Sequence, residues 1–211
     1  KISAGMGSKD APDLMYMWNY PAYYEGLEPL DSYIEKEGED FKKNYYSALW
    51  DYNSIEGNIY GMPVGFTTHA LFYNKDLFEE AGVDLPGENF TWDDLRTTAK
   101  TISEKTNAKG FAFQMKPDPY DFEMYLWSNG TAYCDDKGDM KGKIDSQESQ
   151  EVFKMFQDMA KEEVAAVTEG NGTDEFRAGQ VAMYIYGSWS INSLNEDKMN
   201  YGITKLPNFG S

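Results

Sequence analysis

Tyr60-Gly-Met-Pro-Val-Gly-Phe-Thr-Thr-His-Ala-Leu-Phe-Tyr-Asn-Lys-Asp-Leu-Phe-Glu-Glu-Ala-Gly82 is the stretch from which the fold of this chain is read. Its first half is extended, since Pro63 has no amide hydrogen to give a ladder and biases Met62 away from the helical region. Ala70-Leu71-Phe72-Tyr73 is too short for a helix and aromatic enough for a buried strand. Asn74 then caps a short helix, Lys75 to Ala81, which Gly82 closes in the left-handed conformation. Between the two apolar runs stand Thr67, Thr68 and His69, the only histidine in the chain. Polar residues interrupting an otherwise buried strand pair rarely serve packing; here they mark a crossing between two lobes with a ligand in the gap.

Downstream, the pattern alternates strand and helix. Thr91 caps a helix whose Trp92, Leu95, Ala99 and Ile102 share one face, which makes Trp92 a packing residue. Lys109 to Phe113 is a strand; the loop Met115 to Tyr120, stiffened by two prolines, leads into a helix, Asp121 to Ser128. Asp118 and Tyr120 thus stand at a helix start, as a hydroxyl acceptor beside a stacking ring or, the lesser alternative, as an N-cap beside a packed ring. The acidic run Asp135 to Asp139 lacks the ligand order of a calcium loop and reads as a hairpin tip turned by Gly138. Ser146 caps a long helix with Val152, Phe156 and Met159 inward, and Thr173 caps another that ends at Gly179. Gln180 to Tyr186 is the clearest buried strand. Gly187-Ser188-Trp189-Ser190 follows it with small residues that let a ligand approach the backbone, one large ring, and a helix start with unspent amides. Tyr201 to Leu206 is the last strand.

Upstream, Pro12 to Trp18 reads as a core strand opening into Asn19-Tyr-Pro-Ala-Tyr-Tyr24, an aromatic loop whose rings lie where α/β sheets hold their ligands or, equally, cover the sheet edge. Leu30 to Glu37 is a helix capped by Asp31 or Ser32, with Glu35 completing a capping box. Residues 41 to 53 have a helical period that packs Trp50 inward. Glu56 to Gly61 is a hairpin-like turn.

These motifs carry a resemblance. Tyr60-Gly-Met-Pro-Val-Gly, Tyr73-Asn-Lys-Asp-Leu-Phe-Glu-Glu-Ala-Gly82 and Thr91-Trp-Asp-Asp-Leu95 are similar to the middle of the extracellular solute-binding proteins of carbohydrate-uptake ABC transporters, the group that includes maltose-binding proteins. Phe176 to Met183, Gly187-Ser-Trp189, Tyr201 to Pro207, Ala11-Pro-Asp-Leu-Met and Leu27-Glu-Pro-Leu-Asp31 match in the same order, so the resemblance covers nearly the whole chain. It implies an α/β, periplasmic-binding-protein-like two-lobed fold of type II, incomplete here. Residues 1–66 would form part of the first lobe and the hinge strand, and 67–211 the second lobe. It further implies that the chain is an internal fragment beginning inside the mature protein, so that the missing signal segment says nothing about localisation. The expected localisation is extracellular, as a membrane-anchored lipoprotein, or periplasmic. Two positions depart from the family: Thr67 stands where maltose-type members often carry a carboxylate, and Gly130-Thr131 where a double glycine is usual.

Composition narrows the chemistry. The 211 residues suffice for a real hydrophobic core. A formal net charge of -17, with the acidic residues dispersed, leaves no clustered Lys and Arg for a nucleic acid or an anionic membrane. A single cysteine, Cys134, excludes an internal disulfide. No G-x-S-x-G, H-E-x-x-H, G-x-x-x-x-G-K or G-x-G-x-x-G is present, and any catalytic triad would have to pass through His69. A glycosidase remains the enzymatic alternative, with Asp118, Asp121 and Glu123 available as paired carboxylates. A surface adhesin, its aromatic residues forming a patch, is a third reading. Three N-x-[ST] sequons, at Asn89, Asn129 and Asn171, also fit a secreted glycosylated chain but arise readily by chance.

Sugar binding asks for C–H faces stacked on rings and hydroxyls paired with short polar side chains. Trp18, Asn19, Tyr20, Thr67, Thr68, Asp118, Tyr120 and Trp189 are the expected contacts, and in the resembled family the Trp189 position typically stacks on a sugar ring. The expected protein is not an enzyme and needs no cofactor or metal. Its expected partners are a carbohydrate and the permease subunits of an ABC transporter, with no nucleic acid, and the full-length form is expected to be a monomer.

Overall fold

The computed structural model describes residues 5, 6, 8, 9, 11–17, 19–114 and 119–210. Trp18 and Asp118, two of the expected contacts, lie outside the described residues. The chain divides into two compact units, Lys1–Phe66 and Thr67–Ser211.

The first unit holds helices α1 (Asp31–Lys36) and α2 (Ser47–Tyr52) and a hairpin of β1 (Ser54–Ile55) and β2 (Asn58–Ile59). Glu56 and Gly57, both at positive φ, make the tight turn that a two-residue hairpin requires. The core is small: Ile34, Trp50 and Ile59, with Leu30, Phe41, Tyr45 and Met62 against them.

Three sequence expectations change here. Residues 11–17 form no strand, and Leu14 and Tyr16 are exposed. No described strand lies alongside to complete a ladder, and a strand needs a ladder partner. Asp31 is the first helical residue rather than the cap; its carboxylate accepts from the Ile59 amide at 2.9 Å, tying α1 to the hairpin. The helix expected over 41–53 is broken into a 3-10 turn, Lys42–Asn44, and α2. Tyr45 and Tyr46 between them are extended, as adjacent aromatic residues prefer. Trp50 is nevertheless packed as the period predicted, with Nε1 donating to the Lys42 carbonyl at 3.1 Å.

The second unit is a five-stranded sheet in the order β5-β4-β6-β3-β7 with helices on both faces. In chain order it comprises β3 (His69–Asn74), α3 (Lys75–Ala81), α4 (Trp92–Lys105), β4 (Phe111–Gln114) and α5 (Pro119–Trp127), followed by α6 (Gln147–Lys161), β5 (Ala165–Thr168) and α7 (Thr173–Arg177), then β6 (Met183–Gly187), α8 (Ile191–Glu196) and β7 (Tyr201–Thr204). β4 runs parallel to β5 and β6, whereas β3 is antiparallel to both β6 and β7. The strand period of two sorts the core. Leu71, Tyr73, Phe111, Phe113, Met183 and Ile185 face α4 and α6, and Phe72, Ala112 and Tyr184 face Phe176 of α7 and Leu194 of α8.

Local signals set most helix starts. Asn74 Oδ1 accepts from the amides of Asp76 and Leu77 at 3.0 and 3.2 Å, and Gly82 closes α3 at φ 65°. Thr91 Oγ1 accepts from the Asp94 amide while the Asp94 carboxylate accepts from the Thr91 amide, a reciprocal capping box. Ser146 caps α6. Thr173 does not cap α7: the cap position is Gly172, and Asn171 Oδ1 accepts from the Thr173 amide at 3.1 Å. Trp92 is fully buried among the rings of Phe111, Tyr125 and Phe156, with Nε1 donating to Ser128 Oγ at 2.9 Å. The acidic run turns at Gly138, φ 82°, but no strands flank it. Asp135 Oδ1 instead accepts from the amides of Lys137 and Asp139, closing the turn on itself.

Candidate ligand-binding site

Because β6 ends where antiparallel β3 begins, the register pairs His69 with Gly187. The carboxyl ends of parallel β4, β5 and β6 and the approach to β3 therefore share one edge of the sheet. In open α/β sheets that edge is where ligands bind. It gathers Gln114, Thr168, Gly187 to Ser190, and Thr67 to His69.

The ladder continues past the strands. The Ser188 amide donates to the Thr68 carbonyl at 3.0 Å, and Ser188 Oγ donates to Thr67 Oγ1 at 3.2 Å. These bonds fix the Thr67–Thr68 segment against the turn that carries Trp189, and both threonines are exposed. They also occupy an amide that the sequence reading counted as unspent. Ser190 is buried, its Oγ donating to the Gly187 carbonyl at 2.9 Å, and so has no part in the surface.

Trp189 leaves 43 % of its surface exposed. Its ring meets Tyr186 edge-on at 4.9 Å between centroids and His69 edge-on at 5.7 Å. Tyr120, at the start of α5 and 59 % exposed, also meets His69 edge-on, at 5.4 Å. Gly187 makes this possible: a Cβ there would stand 2.1 Å from the indole ring. The result is a row, Tyr120–His69–Trp189–Tyr186, bordered by two threonine hydroxyls.

Two openings adjoin the row. A small one, about 10 Å³, is lined by Gln114, Asp121, Tyr125, Asn171 and Tyr186, which is room for about one water. A broad depression of about 800 Å³ lies beyond it at the end of β5, lined by Thr168, Glu169, Gly170, Asn171, Glu175 and Tyr186 among others. Among the described residues, the charged side chains lining the two are Asp121, Glu169, Asp174 and Glu175, all acidic.

Burial lowers the pKa of His69 below its ordinary 6.5, the charge of Asp121 pulling the other way. Its Nε2 is shielded from solvent and has no hydrogen-bond partner among the described residues. Burial also raises the Glu123 carboxyl. Asp121 and Glu123 are two residues apart on α5, a spacing that points side chains in opposite directions and does not let them flank one bond. Among the described residues no group of three His, Cys, Asp or Glu could hold a metal ion. Nor is any helix long and apolar enough to cross a membrane.

Of the expected contacts, Thr67, Thr68, Tyr120 and Trp189 come together at this edge. Asn19 and Tyr20 belong to the first unit. Asn19 is exposed, but Tyr20 is buried, with its hydroxyl donating to the Tyr52 carbonyl and its ring edge-on to Tyr52. A ring whose face and hydroxyl are both engaged is part of the packing. Sequence reasoning assigned His69 to a strand and passed over Tyr186 and Asn171 as site residues. Only the β3–β6 register sets His69 beside Trp189.

Comparison with known proteins gives the family. Residues 1–208 match the family described as bacterial extracellular solute-binding protein. A candidate binding protein of Brucella abortus (strain 2308) is 29 % identical over 217 residues, covering 98 % of this chain and 51 % of that one. The sn-glycerol-3-phosphate-binding periplasmic protein UgpB of Agrobacterium fabrum is 26 % identical over 192 residues, 86 % of this chain and 44 % of its own. Among solved structures, the GacH receptor of Streptomyces glaucescens GLA.O, determined unliganded and with acarbose, superposes with a TM-score of 0.78. It is 28 % identical, over 98 % of this chain and 54 % of the receptor. The chain thus spans about half the length of the curated relatives it matches.

Proposed function

Since the chain belongs to the bacterial extracellular solute-binding proteins, we propose that it is the substrate-binding component of an ABC importer and that its second unit receives a neutral sugar or oligosaccharide on Trp189. The observation that carries this reading is the exposed indole at the end of β6, seated on Gly187 and bordered by the Thr67 and Thr68 hydroxyls. A flat apolar ring beside short hydroxyls suits a pyranose, which offers a C–H face and a rim of hydroxyls. Tyr120 extends the stacking surface on one side, and the depression past Tyr186 gives room for further sugar units on the other. Asn19, Trp18 and Asp118 join the proposal as contacts inferred from sequence.

Charge favours a sugar over the glycerol phosphate bound by one relative. A phosphate wants Arg, Lys or a cluster of amides, whereas the charged groups lining these openings are carboxylates. Carboxylates accept well from sugar hydroxyls. The glycosidase alternative loses support from the divergence of Asp121 and Glu123 on α5. The partners on this reading are the permease subunits of the importer, which the binding protein meets as a monomer outside the cytoplasmic membrane. It performs no chemistry on its ligand.

Thermal-shift titration with maltooligosaccharides, sn-glycerol-3-phosphate and short peptides tests the proposal. At a hundred times its Kd, a ligand stabilises by about 2.7 kcal/mol. A sugar-dependent shift that Trp189→Ala weakens by one to two orders of magnitude in affinity is expected, on the order of 1–3 kcal/mol for a lost stacking ring. A shift with sn-glycerol-3-phosphate or peptides and with no sugar would overturn the assignment.

A further inference from the structure

His69 is the only histidine in the chain, and its Nε2 is the one buried side-chain polar atom among the described residues that lacks a partner. Its ring meets Tyr120 and Trp189 edge-on at 5.4 and 5.7 Å, so the two exposed rings of the candidate site both rest on one imidazole. A leucine or phenylalanine would fill such a place with no unsatisfied atom. A histidine here carries a cost that packing alone does not explain.

We propose that His69 is a positioning residue whose neutral imidazole holds Tyr120 and Trp189 in the geometry that receives the ligand, so that proton binding at His69 opposes ligand binding on Trp189. The inference rests on the sugar-site reading of Trp189 and adds to it a proton-sensitive support. The described groups that meet or act on His69 are Tyr120 and Asp121 from α5, Trp189 from the turn after β6, and Thr68 in its own approach segment. Asp121 is the only carboxylate among these described groups.

The chemistry follows from donors and acceptors. In the neutral ring, an unprotonated Nε2 is an uncharged acceptor, and shielding it costs one hydrogen bond. In the imidazolium, Nε2–H becomes a charged donor, which cannot stay unpaired in a shielded place. It must turn toward the Asp121 carboxylate or toward water, and either movement withdraws the ring from Tyr120 and Trp189. Burial already holds the ring neutral by depressing its affinity for a proton. A ligand stacked over Trp189 covers the edge further and depresses it more. The coupling is reciprocal: whatever the ligand does to the proton, the proton does to the ligand.

Being single, the histidine can be followed without assignment by the Cε1 proton resonance of the unlabelled protein. Titrating the ligand-free chain from pH 8 to 4.5 is expected to give a midpoint below 6.5, with tryptophan emission changing at the same midpoint. Trp189→Phe should keep the histidine midpoint below 6.5 and lose the emission change; His69→Gln, checked for folding by circular dichroism, should lose the emission change too. A midpoint at or above 6.5, as a cation–π contact with Trp189 would give, overturns the proposal, and so does an emission insensitive to the histidine. With maltotriose as the probe, the dissociation constant should rise about tenfold per pH unit below the midpoint and stay level in His69→Gln. A pH-independent constant in the wild-type chain overturns the opposition between proton and ligand. Failure of maltotriose and longer maltooligosaccharides to bind at any pH would sink the sugar reading, while the ligand-free titration still decides whether His69 supports Trp189.

Discussion

At the scale of the residue, the site depends as much on an atom that is missing as on those present. Gly187 has φ −77° and ψ 154°, ordinary values for any residue, so its use here is space rather than backbone freedom. A methyl group at this position would strike the Trp189 ring at 2.1 Å and lift it off the strand end. Gly187→Ala is expected to lower affinity for the bound sugar at least tenfold. The melting temperature should change little, because the displaced ring is exposed and free to move aside; calorimetric titration and a thermal melt of one preparation check both. Affinity equal to wild type would remove Trp189 from the site. Trp189 was legible in the sequence because it follows the strongest strand pattern in the chain. Tyr20 was not, since a loop aromatic looks the same whether it covers a core or faces a ligand. His69 was legible as part of a polar crossing but not as a support for the stacking rings, because its neighbours come from elements some fifty to a hundred and twenty positions away, joined only through register.

At the scale of the element, short-range signals were the readable ones. The caps of α3, α4 and α6 involve residues within four positions of each other, so sequence spacing alone determines the bond. The helix expected over 41–53 failed for the complementary reason: its apolar period is real, but two adjacent tyrosines break it into turns whose side chains still converge on Trp50. The Thr91–Asp94 box gives a test. Thr91→Ala should cost roughly 0.5–2 kcal/mol, a fall of about 2–4 °C in melting temperature per kcal/mol at this chain length. The hydroxyl and amide of Thr91 hold the Asp94 carboxyl below its ordinary 3.8. A depressed carboxyl contributes stability that is present above 3.8 and lost as pH falls through the folded value. The gap between wild type and Thr91→Ala should therefore narrow on acidification below about pH 4, as denaturant melts at pH 7 and pH 3 would show; a constant gap would contradict the carboxylate's part in the cap. Gly110 tests the layer packing. A Cβ there would meet the Ala99 backbone at 2.1–2.4 Å, and helix backbone cannot yield as a side chain can. Gly110→Ala is expected to destabilise by about 1–3 kcal/mol or more through overpacking of α4 against the sheet. A melt at the wild-type temperature would show that α4 can slide.

At the scale of the whole molecule, family motifs in the right order revealed the two-lobed α/β class, yet no motif along the chain sets the strand order β5-β4-β6-β3-β7. Pairings between strands more than a hundred residues apart, such as β3 with β6, are decided by burial of both sheet faces at once, and no local pattern encodes that. The same contrast predicts how the chain comes apart. The second unit buries an aromatic core on both faces of its sheet, whereas the first closes over Ile34, Trp50 and Ile59 and exposes Leu14, Tyr16, Tyr46, Tyr52, Val64 and Phe66. Apolar burial sets local stability, so opening should be cheapest in the first unit. Brief chymotrypsin digestion of the native chain is expected to cut first at Leu14, Tyr16, Tyr46, Tyr52 and Phe66. A resistant piece beginning near residue 67 should persist longest, its N-terminus read by mass spectrometry. Because Thr67 and Thr68 are bonded to Ser188, the boundary of that piece should stop short of them. Simultaneous cleavage at Trp127 or Tyr120, both exposed in the second unit, would mean that the two units open together and that the sheet gains no independent stability from its larger core.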